Sequence, residues 1–171
     1  MNKRNVVYVM PPRLGPVSQF ISILPEPLSS FWQFQLLNYL NNIVDNLSIK
    51  PHPESPTLIN NFYDSELKIN IIDGKFENVI GPDDICIFDY QGTTTFGYAI
   101  KNQNPIVLID FKTHTLKEMD HEVRAKRVFT IQGYFNDKNL PTIDFEELKR
   151  GIDVSTRLKD TEFEKLILGS N

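Results

Sequence analysis

A single cysteine and three histidines leave this 171-residue chain without the material for a disulfide framework or a Cys/His metal cluster. The cysteine, Cys86, lies inside the apolar run Ile85-Cys86-Ile87-Phe88, where it reads as a buried structural thiol and not as a nucleophile. Glycine is scarce too, at 8 residues. None of these glycines builds the three-glycine dinucleotide fingerprint or a phosphate loop with Gly-Lys-Thr, so NAD-dependent chemistry and ATP hydrolysis are disfavoured. No uninterrupted apolar run approaches the roughly 20 residues that a membrane-spanning helix needs. Met1-Asn2-Lys3-Arg4 is a basic start, but Asn5 to Met10 is too short for the apolar segment of a signal peptide and prolines follow at once. The expectation is a cytoplasmic chain. A basic excess is also lacking: 18 Lys and Arg against 22 Asp and Glu give a formal charge of −4, without a sustained basic stripe. That balance argues against a dedicated nucleic-acid binder, which must neutralise several phosphates at once, and leaves room for a small anionic ligand.

What is present suits one domain spanning 1–171, with 40% hydrophobic and 23% charged residues and enough length to bury a core. Short Val/Ile-rich runs bounded by turn residues predict strands at Asn5–Met10, Leu47–Lys50, Leu67–Ile72, Ile85–Asp89, Ile106–Asp110 and Arg127–Ile131. Between them, Leu28–Val44 and Leu116–Lys126 carry apolar residues at helical spacing, and Thr95–Asn102 reads as a further helix. Beyond Pro141 a helical tail, about 142–171, starts with Asp144 and Glu147 spaced as a capping box. Strands that are apolar throughout and alternate with helices imply an α/β fold. The expected architecture is a doubly wound, mostly parallel Rossmann-like sheet with helices on both faces. Ligands of such sheets bind outside the carboxyl ends of the strands, where strand order reverses.

Two motifs stand at such ends. Lys50-Pro51-His52-Pro53 follows the second strand, and its prolines restrict the directions the imidazole can take. His52 can offer an N–H to a phosphate oxygen and Lys50 a point charge; a loop histidine bonded to a backbone carbonyl is the plain alternative. Asp89-Tyr90-Gln91-Gly92-Thr93-Thr94-Thr95 runs from the fourth strand into a helix, so backbone N–H groups, the positive helix end and the hydroxyls of Thr93, Thr94 and Thr95 face one spot. Alternatively, one threonine simply caps the helix. Arg13, Gly15 and Ser18, in the long loop 11–27 after the first strand, are placed to close over the same ligand. Asp73, Gly74, Lys75 and Phe76 follow the third strand and either border a base or form a polar turn. Asp110, His114 and Asp120-His121 are weaker candidates, and no metal ligand set is expected.

Taken together, these residues resemble the carboxyl-terminal half of GT-B-fold transferases that make bacterial surface carbohydrate, particularly those using CMP-sugars or CDP-glycerol. The matches are Lys50-Pro51-His52-Pro53, Thr93-Thr94-Thr95 with Asp89-Tyr90 ahead of them, and Asn104-Pro105-Ile106-Val107-Leu108 after their helix; the resemblance runs from Val6 to about Leu148. It implies that His52 makes the catalytic contact with the donor phosphate, that Thr93 and Thr94 bond the same group, and that Asp73 to Phe76 lie on the base side. The implied substrate is a nucleotide-activated donor, a CMP-sugar, CDP-glycerol or another NDP-sugar, with no separate cofactor. The implied partner is an acceptor-binding amino-terminal domain or subunit, and the resemblance allows attachment at the inner-membrane surface. Gly92 departs from the family, in which Ser is common at that place. The expected function is therefore the donor-binding half of a glycosyltransferase or glycerophosphotransferase of surface polysaccharide biosynthesis, inactive without its acceptor half. A nonenzymatic scaffold or regulatory domain of the same fold is the competing expectation, because no acid and base pair stands out in the chain.

Overall fold

The computed structural model describes residues 5–12, 24–53, 67, 69–112 and 124–158. Arg13, Gly15, Ser18, His114, Asp120, His121, most of the helix expected at Leu116–Lys126 and the tail beyond residue 158 lie outside them.

Six parallel strands form one sheet: β1 (Val6–Val9), β2 (Leu47–Lys50), β3 (Asn70–Ile71), β4 (Ile85–Phe88), β5 (Ile106–Asp110) and β6 (Phe129–Gln132). Their order is β3-β2-β1-β4-β5-β6, so β1 is central and the winding reverses between β1 and β4. This is the expected Rossmann-like α/β fold. The four inner strands β2, β1, β4 and β5 are buried almost throughout, as continuous apolar runs require of strands covered on both faces. β3 is shorter than its sequence run and lies exposed at the edge.

Alternation along each strand sorts the core into two layers. Val6 and Tyr8 of β1 face a cluster with Trp32, Leu36, Leu37 and Leu40 of helix α1 (Glu26–Ile43) and Leu148 and Ile152 of helix α4 (Phe145–Ser155). Val7 and Val9 face the opposite cluster, with Phe76 of the short helix α2 (Phe76–Val79) and Phe96, Ala99 and Ile100 of helix α3 (Thr94–Lys101). Full burial of each of these aliphatic or aromatic side chains contributes roughly 1.5–3 kcal/mol. None of the helices among the described residues is long and apolar enough to cross a membrane.

Three local features differ from the sequence pattern. A two-stranded antiparallel hairpin, β7 (Tyr134–Phe135) with β8 (Pro141–Thr142), follows β6 and had no periodic signal, since two-residue strands cannot show one. The box at α4 is half made: Asp144 Oδ1 accepts from the N–H groups of Glu146 and Glu147 at 2.9 and 3.1 Å. Glu147 pairs with Arg150 at 3.1 Å instead of reaching back to Asp144. Finally, Arg127 precedes β6 fully buried, and its guanidinium donates to the carbonyls of Ala99 and Ile100 at 3.4 and 3.3 Å. A cation there complements the negative carboxyl end of α3.

Candidate functional site

The reversal of strand order opens a cavity of about 260 Å³ beyond the carboxyl ends of β1, β2 and β4. All of Lys50, Pro51, His52 and Pro53 line it, and so do Thr93, Thr94 and Thr95. Two motifs about forty residues apart in sequence thus meet because parallel pairing puts Lys50 beside Val9, and Val9 beside Phe88. A one-residue slip of β2 against β1 would turn Lys50 to the other face of the sheet.

Lys50 is only 6% exposed, and its ammonium donates to the Pro51 carbonyl at 3.1 Å. Burial lowers its pKa below the ordinary 10.5, and the carboxylates of Asp73 and Glu77 act in the opposite sense. His52 is half-buried on the same wall. The threonines open α3. Thr93 is its N-cap, and Thr93 Oγ1 accepts from the Phe96 N–H at 3.2 Å. That bond uses the oxygen and leaves the hydroxyl proton of Thr93 to donate. The first N–H bonded within the helix is that of Phe96, to the Thr93 carbonyl at 3.1 Å, so the N–H groups of Thr94 and Thr95 at the same helix start have no intrahelical acceptor. The capping alternative is thus met by Thr93, and all three threonines line the cavity.

The rest of the lining sharpens the sequence reading. Gly74, Lys75 and Phe76 border the cavity, Phe76 with most of its ring in the core. Asp73 is exposed and is not part of the lining, because the chain turns at Gly74, whose φ of 98° suits glycine, before α2 begins. The carboxylate on the wall is instead Glu77, in the first turn of α2. Sequence reasoning missed it, and the one available signal was an acidic residue after a turn. Tyr90 and Tyr98 also line the cavity and were not singled out. Tyr90 accounts for Gly92: a Cβ there would lie 2.5 Å from the Tyr90 hydroxyl oxygen and 2.6 Å from its ring, so Tyr90 occupies the space a serine would need.

Other candidates belong to the framework. Asp89 faces away from the cavity into the α1 layer, where its Oδ2 accepts from Tyr8 Oη at 2.6 Å and Trp32 Nε1 at 3.0 Å. Trp32 is therefore core, while Phe34 is 41% exposed. Asp110 ends β5 by accepting from the Lys112 N–H at 2.8 Å and facing Arg124 at 3.9 Å. Cys86 is fully buried, and burial pushes its thiol pKa up, with Asp84 acting in the same direction. Asn104, matched to the resemblance by sequence, sits at the opposite end of the sheet from the cavity. Arg13 and Ser18 lie outside the described residues, although Met10 and Pro11, which lead into their loop, do line the cavity.

The cavity therefore joins donors, from Lys50, His52, Lys75 and the start of α3, with one carboxylate, Glu77, and the rings of Phe76, Phe88, Tyr90 and Tyr98. A phosphate suits the donors; hydroxyl or amine groups of the same ligand suit a carboxylate, which can only accept when ionised. Neither the protein-family models, nor the curated proteins, nor the solved structures give a match to this chain.

Proposed function

We propose that this domain binds the nucleotide-activated donor of a glycosyltransferase or glycerophosphotransferase that builds surface carbohydrate, with the acceptor held by another domain or subunit. The observation that carries the reading is the convergence of Lys50–Pro53 and Thr93–Thr95 on one cavity at the switch point of the sheet. A phosphate held there faces the positive end of α3, up to three hydroxyls, the His52 imidazole and the Lys50 ammonium. In transfer, the bond from the moving group to the leaving phosphate oxygen breaks and its electron pair stays on that oxygen. The acceptor hydroxyl forms the new bond, and its proton passes to a base on the acceptor side. Charge grows on the phosphate, where fixed dipoles and a desolvated cation stabilise it most. No residue of this chain need form a covalent bond. Glu77, on the wall of the same cavity, would accept from ribose hydroxyls or a base amine and so help to orient the nucleotide.

Calorimetric titration of the protein with CMP, CDP, UDP and ADP at low salt tests this. Selective binding of a cytidine nucleotide is the expected result, and binding of a uridine or adenine nucleotide instead would reassign the donor. His52→Ala and Thr94→Ala should each weaken binding by about 1–3 kcal/mol, the usual cost of losing a hydrogen bond to a charged group. Unchanged affinity in both variants, or no binding by the wild type at millimolar ligand, would replace this reading with the nonenzymatic scaffold.

A further inference from the structure

Tyr98 is an aromatic ring on the cavity wall that the fold does not use. It is 45% exposed, and its side chain makes no hydrogen bond or ring contact with any described residue. The other rings around it are committed: Phe88 and Phe96 pack edge to face at 5.2 Å, Phe76 is buried in the same layer, and Tyr90 lies against Gly92. Large exposed apolar groups cost little singly, but one that also lines a concave polar site is placed where a ligand can cover it.

Its position along α3 gives that ligand a shape. Tyr98 follows Thr94 by four residues, so the two share one face of the helix with Tyr98 about 6 Å further along the axis. A ligand whose phosphate sits on the Thr94 N–H therefore reaches Tyr98 after one intervening sugar-sized group. The same cavity is lined by Gly74 and Lys75 ahead of α2, where glycine leaves the backbone bare, and by Glu77.

We infer that Tyr98 is the stacking platform for the nucleobase, which lies between the flank of α3 and the Gly74-Lys75 turn; the inference rests on the nucleotide reading of the same cavity. Stacking on a π face tolerates every base, so Tyr98 supplies affinity while polar neighbours such as Glu77 supply preference.

The test compares ligands with and without a base. Titrations of wild type, Tyr98→Ala and Tyr98→Phe with CMP, UMP, AMP and ribose 5-phosphate separate the contributions. Tyr98→Ala should weaken the mononucleotides about tenfold or more, the usual effect of deleting a stacked ring. It should leave ribose 5-phosphate within about twofold, and Tyr98→Phe should behave as wild type, since the ring and not the hydroxyl makes the contact. Mononucleotide affinity unchanged in Tyr98→Ala, or an equal loss for ribose 5-phosphate, overturns the stacking role while the nucleotide reading stands. Failure of the wild type to bind any of the four ligands overturns the nucleotide reading and this inference with it.

Discussion

The two ends of the parallel sheet both carry buried polar side chains, but they use them in opposite ways. At the amino-terminal end, Asn104 is fully buried and donates to the carbonyls of Gly81 and Asp84 at 2.6 and 3.1 Å while accepting from Asn102 at 3.0 Å. Asp84 in turn accepts from the Gly81 N–H at 2.8 Å. These groups satisfy one another and tie the loops before β4 and β5 into one knot. At the carboxyl-terminal end, the Lys50 ammonium meets one carbonyl, and the hydroxyls and first N–H groups of α3 turn toward a cavity. A buried polar network that closes on itself makes rigidity, and one whose donors stop at a cavity wall makes a binding site. The same fold needs both, because the second can stay preorganised only if the strands that present it are held elsewhere.

Breaking the closed end should give the largest effect. Asn104→Ala would strip two carbonyls of their donor and leave a small void, for an expected loss of about 2–3 kcal/mol in urea unfolding. Ligand affinity of the folded fraction should change by less than about twofold, since Asn104 lies far from the cavity and distant sites are additive. A loss of affinity beyond that would mean that the two ends are coupled and that the contrast drawn here is false.

An intermediate effect is expected where the open end is packed. Gly92→Ser restores the residue common in the resembling family, yet its Cβ would collide with the Tyr90 ring. The expected cost is about 1–2 kcal/mol, in the range of modest overpacking, and it should largely vanish in a Tyr90→Ala background. A serine tolerated at no cost beside an intact Tyr90 would show that Tyr90 swings freely, and that this wall of the cavity is not fixed.

How far the sequence shows this contrast depends on the scale of each signal. Leu47–Lys50 and Ile106–Asp110 are legible to the residue, because strands buried on both faces must be continuously apolar and turn residues bound them. The meeting of Lys50–Pro53 and Thr93–Thr95 at one edge is legible for the same reason: polar groups directly after such runs stand at the carboxyl edge. Glu77 lines the cavity and Asp73 does not, because the chain turns at Gly74 and a four-residue helix, too short for any periodicity, follows. Arg127 on the end of α3 is a contact across the fold, and Tyr90 over Gly92 is a local fold-back of one side chain; composition holds no trace of either. Asp89 misleads in the opposite direction. Beside the threonines it resembles a site residue, yet alternation along β4 points it to Tyr8 and Trp32 on the other face.

The smallest effect is a slope and not a step, and it concerns Lys50. Its pKa in the folded protein is lowered from 10.5 chiefly by burial, so between that lowered value and 10.5 the unfolded chain binds more protons than the folded one. Stability therefore rises with pH across this window, as the cost of burying the charged form is relieved, and below the window the cost is present in full. Lys50→Met removes both the charge and the slope: it should be as stable as wild type or slightly more so at neutral pH, with the difference shrinking as pH approaches 10.5. The proposed phosphate binding should have the opposite dependence, because an anion there would need the ammonium. Wild-type affinity should fall as pH rises through the lowered pKa, earlier than an exposed lysine would allow, and binding within the window should take up protons measurable in buffers of different ionisation enthalpy. Lys50→Met should bind more weakly at neutral pH and show neither dependence. If wild type and Lys50→Met lose affinity in parallel as pH rises, Lys50 is only a filler of the cavity floor. The proposed phosphate site would then rest on α3 and His52 without Lys50.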